Sequence, residues 1–348
     1  MCPTRTHRAA RCGPVMTAPR THAGRPDLDD AARVVAALTR AFGEKVVGQD
    51  SLRQSLLIGL LAGGHVLLES LPGLAKTTAA RVVAESIHGS FHRIQCTADL
   101  LPSDIVGTQV YDAATSSFTT QLGPVHANIV LLDEINRSSA KAQSAMLEAM
   151  EERQTTIAGV EYRVPEPFVV VATQNPVDQE GTYPLSEAQT DRFMLKDVVP
   201  YPSIEDEVEV ISRIEAGVYD RRHSSSPAVG LDEVRRLQST VRTVHMDIQL
   251  VRYASQLVAV TRAPSSYLPG HLARLIEYGA SPRATIAFSQ AARAVAVLNG
   301  RGHVLPEDIE SVAHRVLRHR LILGFEAARA RVTPDLVIDA VLQSVRIP

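Results

Sequence analysis

The chain has 348 residues, 45% of them hydrophobic and 21% charged, with a formal net charge of −2. That is material for roughly two domains, and it excludes a collagen-like, disulfide-scaffold or largely disordered chain, while near-neutral charge excludes a strong global field for DNA or anionic lipid. The longest apolar run, 56–68, is broken by Gly59, Gly63, Gly64 and His65 and falls short of the roughly 18 residues of a membrane span, and the three cysteines lack C-x-x-C spacing, which excludes a disulfide framework or zinc site and fits a reducing cytoplasm.

Residues 1–26 hold Arg5, Arg8, Arg11, Arg20 and Arg25 and no acid, and read as a disordered basic tail rather than a secretory signal. A transit peptide, or a true start at Met16, are the other readings. From Asp29 the spacing of Ala31, Val34, Val35, Leu38 and Phe42 predicts a helix, and a second helix covers 53–62. Then strands and helices alternate: strand 65–69, helix 76–88, strand 91–96, strand 129–133, helix 140–151, strand 168–173 and strand 193–199. That order predicts a mostly parallel α/β sheet. After Tyr201-Pro202 the strand signals fade, and helices are expected at 204–214, 231–243, 247–261, 284–298, 306–318 and 333–345. Loops fall near 224–230 and 263–270. The expected organisation is an α/β core over 27–200 and an all-helical second domain over 201–348.

Three segments carry chemistry. Ser70-Leu71-Pro72-Gly73-Leu74-Ala75-Lys76-Thr77 joins an apolar strand to a helix, the context of a phosphate-binding loop. Backbone N–H groups and a helix N-terminus face the anion, a lysine reaches the β- and γ-phosphates, and a hydroxyl holds Mg²⁺. The strict glycine pattern is not met, since Ser70 and Ala75 stand at glycine positions. Lys76 is nonetheless one of only four lysines among 36 basic residues. Next, the buried strand 129–132 ends in Asp133-Glu134. Two adjacent carboxylates there are affordable only at a strand's C-terminal edge, where ligands bind in open α/β sheets. Asp133 could hold Mg²⁺ through water, and Glu134 could act as general base on an attacking water. Finally, Phe168–Thr173 leads into Gln174-Asn175-Pro176, where Asn175 could hold that water against the γ-phosphate. Nucleotide binding is the shared implication.

With these segments the sequence resembles the AAA+ ATPases and, within them, the MoxR family. The resemblance is collinear over roughly 30–348. It rests on Val46-Val47-Gly48-Gln49, the loop at 71–77, residues 100–105, LDEINR at 132–137, QSAMLEAME at 143–151, ATQNP at 172–176, EAQTDRF at 187–193, GASPRA at 279–284, residues 300–308 and LRHR at 317–320. It implies that Val47 and Gly48 border the adenine and that Pro72, Gly73, Leu74, Ala75, Lys76, Thr77 and Thr78 hold the phosphates. Thr77 and Asp133 would serve Mg²⁺, Glu134 would be the Walker B base, Asn175 sensor 1, Arg192 the arginine finger acting on a neighbouring subunit, and Arg283 sensor 2 on a helical lid. A hairpin at 154–165, turning at Ala158-Gly159, would precede sensor 1, and an insertion beginning near 100–107 would distort the second core helix.

A finger acting in trans implies a closed ring, with a hexamer expected. The resemblance further implies a chaperone-like role on protein complexes, including metal or cofactor insertion, often with a von Willebrand factor A-domain partner. The alternatives are a nucleic-acid motor, a nucleotide-binding subunit without turnover, and a magnesium-chelatase-type subunit. Few aromatics and no tryptophan disfavour a single-strand stacking platform. The basic stretch His314, Arg315, Arg318, His319, Arg320 reads as a solvated helix face.

Overall fold

The computed structural model describes residues 28–176, 182–219 and 229–348. The tail read at 1–26 lies outside them, as does most of the loop read at 224–230. In chain order come α1 (Leu28–Lys45), α2 (Asp50–Ala62), β1 (Val66–Glu69), α3 (Lys76–Ser86), β2 (Phe91–Gln95), α4 (Pro102–Val106), β3 (Gly107–Asp112), β4 (Ser117–Leu122), β5 (Ile129–Asp133), α5 (Ala140–Glu152), β6 (Gln154–Ile157), β7 (Val160–Arg163), β8 (Val169–Gln174), α6 (Glu187–Thr190) and β9 (Leu195–Val198). The helical part holds α7 (Ile204–Glu215), α8 (Leu231–Thr243), α9 (Ile248–Arg262), α10 (Gly270–Ala273), β10 (Ile276–Tyr278), α11 (Pro282–Leu298), α12 (Pro306–Leu317), β11 (Ile322–Leu323), α13 (Phe325–Arg329) and α14 (Pro334–Ser344).

Five strands form one parallel sheet in the order β2-β5-β8-β1-β9. The middle strands are apolar at nearly every position because helices cover both faces. Ile129 to Asp133 and Val169 to Thr173 are buried throughout. The sheet order places the C-terminal ends of β1, β5 and β8 side by side, so the three segments singled out in the sequence share one edge. The insertion before β5 folds as α4 and the antiparallel hairpin β3–β4. The hairpin β6–β7 turns at Ala158 and Gly159, both with positive φ.

The helical part departs from an all-α reading at one place, where β10 and β11 pair antiparallel as a short ribbon. With two or three residues each, these strands are too short to leave a periodic signal. One apolar cluster runs from α1, α2 and α3 through β1 and β9 into α8, α9, α11, α12 and α14. The helices therefore dock on the flank of the core. The basic stretch at 314–320 is not a solvated face. Arg315 donates to Gln54 Oε1 (2.9 Å) and Ser51 Oγ (3.0 Å), and Arg318 to Lys196 O (3.1 Å) and Asp335. Arg320 is 6% exposed. Its guanidinium donates to Asp191 and to the carbonyls of Phe193, Met194 and Val316. These cations cover edge strand β9, whose outer backbone would otherwise stand open.

Candidate functional site: two edges of one sheet

At the C-terminal edge, β1 runs into the loop 70–75 and then α3. Gly73 has φ +84°, with open space where a side chain would stand. Ala75 occupies the left-handed region at φ +55° without being glycine, a local strain of the kind that clusters at ligand clamps. The N-terminus of α3 has no side-chain cap, so the N–H groups of Lys76, Thr77 and Thr78 lack helical partners and face the loop that Pro72, Gly73 and Leu74 shape. Lys76 Nζ makes only long contacts, to Ser70 O (3.4 Å) and Leu71 O (3.3 Å). Burial lowers its pKa from the usual lysine range, and the charges of Asp133 and Glu134 pull it back up. Val47 and Gly48 lie between α1 and α2. Gly48 has φ +66°, and a side chain there would collide with Asp206 of α7, which positions α7 at this segment.

Register aligns Gln95 with Asp133 and Glu69 with Gln174. Asp133 Oδ1 accepts from Thr173 Oγ1 (2.8 Å), and its Oδ2 from Arg93 Nε (3.1 Å) and Nη2 (2.6 Å). The same Thr173 hydroxyl oxygen accepts the Glu134 N–H at 2.8 Å. Glu134 itself has φ +57°, which turns its carboxylate away from the strand line. Arg137 Nη1 (3.0 Å) and Gln95 Nε2 (3.4 Å) donate to its Oε2. Asn175 is buried just past β8. Arg93, Gln95 and Thr173 escaped the sequence reading. For Arg93 and Gln95 the signal was β2 itself, where the two alternate around buried Ile94 and so share one face.

The two arginines stand elsewhere. Arg192 precedes β9, and Met194 N–H donates to His65 O just ahead of β1 (2.9 Å); both belong to the N-terminal edge of the sheet. Glu151 lies in the last turn of α5 at this edge. Its Oε2 lies 2.9 Å from Arg192 Nε and its Oε1 2.5 Å from Arg283 Nη2. Asp191 does not pair with its neighbour Arg192. Its Oδ1 accepts from Arg320 Nε and its Oδ2 from Ser281 Oγ, each at 2.7 Å. Ser281 also caps α11, whose second residue is Arg283. A cleft of about 270 Å³ opens here, lined by Glu151, Arg153, Asp191, Arg192, Arg283 and Arg320. Behind it His65 is buried. Its Nδ1 accepts from Val170 N–H (2.9 Å), so its Nε2 donates to Met150 O (3.2 Å). Burial first, then the charge of Arg153, lowers its pKa to about 3.

One chain thus gathers Lys76, Thr77, Asp133, Glu134 and Asn175 at one edge and Arg192 and Arg283 at the other. The first edge suits a nucleotide phosphate chain: an open glycine cradle, an uncapped helix start and an amine on exchangeable carbonyl contacts. Among the described residues no cluster of three His, Cys, Asp or Glu could hold a metal alone. The donors present, one threonine hydroxyl and one carboxylate, fit Mg²⁺ shared with phosphates and water.

The parallel sheet, the phosphate-type loop after β1 and the helical region behind it define a AAA-type ATPase core with a lid. Residues 65–195 match the ATPase family associated with various cellular activities (AAA), and residues 271–341 match the AAA lid domain. The chain is 45% identical to Chaperone MoxR1 of Mycobacterium tuberculosis, over 91% of this chain and 84% of that one. It is 31% identical to Protein MoxR of Methylorubrum extorquens, over 92% and 97%. The crystal structure of a Cytophaga hutchinsonii protein assigned as an ATPase superposes with a TM-score of 0.84 at 41% identity, covering 92% of this chain and 97% of that one. The chain belongs to the MoxR family of AAA+ ATPases. No described helix is long and apolar enough to cross a membrane.

Proposed function

We propose that the chain is one subunit of a ring-shaped, Mg²⁺-dependent ATPase that cleaves the β–γ bond of ATP. The observation that carries this is the division of charged groups between two edges of one sheet. A site holding Lys76, Glu134 and a pair of arginines needs two chains, and a head-to-tail contact that repeats and closes makes a ring, with six the expected number. In this reading the N–H groups of the loop and Lys76 hold the phosphates, and Val47 and Gly48 border the adenine. Mg²⁺, held through Thr77 and Asp133, would neutralise charge on the phosphate oxygens. Glu134 takes the proton from the attacking water and Asn175 orients that water. Arg192 and Arg283 come from the neighbouring subunit and meet the charge that develops on the transferred group, where an arginine is worth about 10³–10⁵ in rate.

Residues 201–348 act as the lid, and ring motions act on a protein client in a chaperone-like role. The name of the Mycobacterium tuberculosis relative supports that role. A von Willebrand A-domain partner, metal or cofactor insertion and a cytoplasmic location belong to the same proposal. Lys76→Ala and Glu134→Gln test the enzymatic core. Loss of ATP binding in the first and of turnover alone in the second is expected, and normal turnover in both would overturn it.

A further inference from the structure

Arg192 and Arg283 come from different elements, the approach to β9 and the first turn of α11, yet both end on one carboxylate. Among the described residues, every ion pair that either arginine makes is to Glu151. At Arg192 the contact is an ion pair off the line of the N–H: Glu151 Oε2 lies 2.9 Å from a buried Nε that makes no hydrogen bond, and among the described residues no ion pair engages the terminal fork of the guanidinium. That fork is the part suited to bidentate phosphate binding. The side chains are 33% and 45% exposed, and Glu151 is 38% exposed, so the cluster is open to a neighbour.

Two guanidiniums do not converge unaided. Arg153 and Arg320 line the same cleft, and their donors are committed to Gly63 O, Phe168 O and the Asp191–Phe193 segment. Without Glu151 the pair would face like charges and long-chain rotamer freedom, both of which scatter the guanidiniums. A group that must meet a transferring phosphoryl in a fixed geometry gains most when its ordering is complete beforehand.

We propose that Glu151 is the positioning residue of the ring interface, holding Arg192 and Arg283 as a preformed pair for the neighbouring subunit's phosphates. The proposal rests on the trans-acting role of these arginines. Glu151 touches no nucleotide. Its own helix begins just after Glu134, at the other edge of the same subunit, and thirteen residues at about 1.5 Å each put its ends roughly 20 Å apart.

The test uses the full chain, with Glu151→Gln, Arg192→Ala and the double variant, plus Glu151→Asp as the conservative change should the amide variant fold poorly. Expected for Glu151→Gln is a drop in kcat of about tenfold or more, with KM for ATP and fluorescent-ADP affinity within twofold of the parent and unchanged assembly by sedimentation. Expected for Glu151→Asp is partial retention of kcat. The double variant should lose less than the product of the two single losses, because part of what Glu151 does runs through that arginine and the rest through Arg283. Mixed with Lys76→Ala subunits, Glu151→Gln should regain turnover; mixed with Arg192→Ala it should not. An unchanged or raised kcat in Glu151→Gln, or losses that multiply in the double variant, would overturn the proposal. If Arg192→Ala itself turns over normally, the trans-acting reading fails; if Arg192→Ala is impaired and Glu151→Gln is not, Glu151 alone is removed.

Discussion

Arg320 Nε donates to Asp191 Oδ1 at 2.7 Å across the junction of the helical part and the sheet. The Arg320 side chain is 2% exposed and that of Asp191 18%. The same carboxylate holds Ser281 at the head of α11, so one aspartate fixes both chain segments that carry Arg192 and Arg283. Asp191→Ala should therefore cost about 3–5 kcal/mol of stability, as expected for an unpaired buried cation. A urea-unfolding midpoint measures this, and a loss below about 1 kcal/mol would show that the carbonyl contacts of Arg320 suffice.

Glu134→Gln keeps the left-handed turn and the shape of the side chain but cannot accept a proton. Turnover should fall by at least about 10²-fold, the lower range for a lost general base, while ATP affinity stays within a few-fold. Steady-state phosphate release beside a fluorescent-nucleotide titration checks both. Residual turnover near the parent level would move the base to another group.

Stability should decline on acidification below about pH 6.5. His65, with its folded pKa lowered to about 3, and His319, also buried and lowered, stay neutral in the fold. The unfolded chain takes up those protons near pH 6.5, so their contribution is intact above that pH and shrinks as pH falls, by about 1.4 kcal/mol per unit for each histidine. His65→Gln should flatten the slope of unfolding free energy against pH between 6.5 and 5, and an unchanged slope would rule out His65 as its source.

Gly279 has no room for a side chain, because a Cβ would collide with the carbonyl of Thr261. Gly279→Ala should shift the start of α11 and with it Ser281 and Arg283. A fall in kcat with nucleotide affinity unchanged is expected, since the displaced groups lie away from Lys76. A fall in affinity alone would contradict that separation.

Much of this was legible in the sequence because it is written as runs. The apolar strands 129–132 and 168–173, each closed by polar groups, gave both the sheet and the edge that bears Asp133, Glu134 and Asn175. Helix positions followed from apolar periodicity, and 231–243 matches α8 residue for residue. What escaped depends on partners distant in sequence. Arg320 looks solvated on a basic helix end until the segment 191–194 that leads into β9 arrives with four carbonyl or carboxylate acceptors. Arg93 reaches Asp133 across forty residues, through strand register alone. The separation of Arg192 and Arg283 from Lys76 belongs to the sheet order, which no local pattern encodes. Family resemblance implied roles for them without saying which edge they occupy.

The division of the site between two chains is tested most directly by subunit mixing. Arg192→Ala and Arg283→Ala subunits, each combined with Lys76→Ala subunits, form some interfaces that join an intact nucleotide edge to an intact arginine edge. ATP turnover should reappear in both mixtures although each variant alone is inactive. Verified mixed rings that show no recovery would contradict the two-chain site.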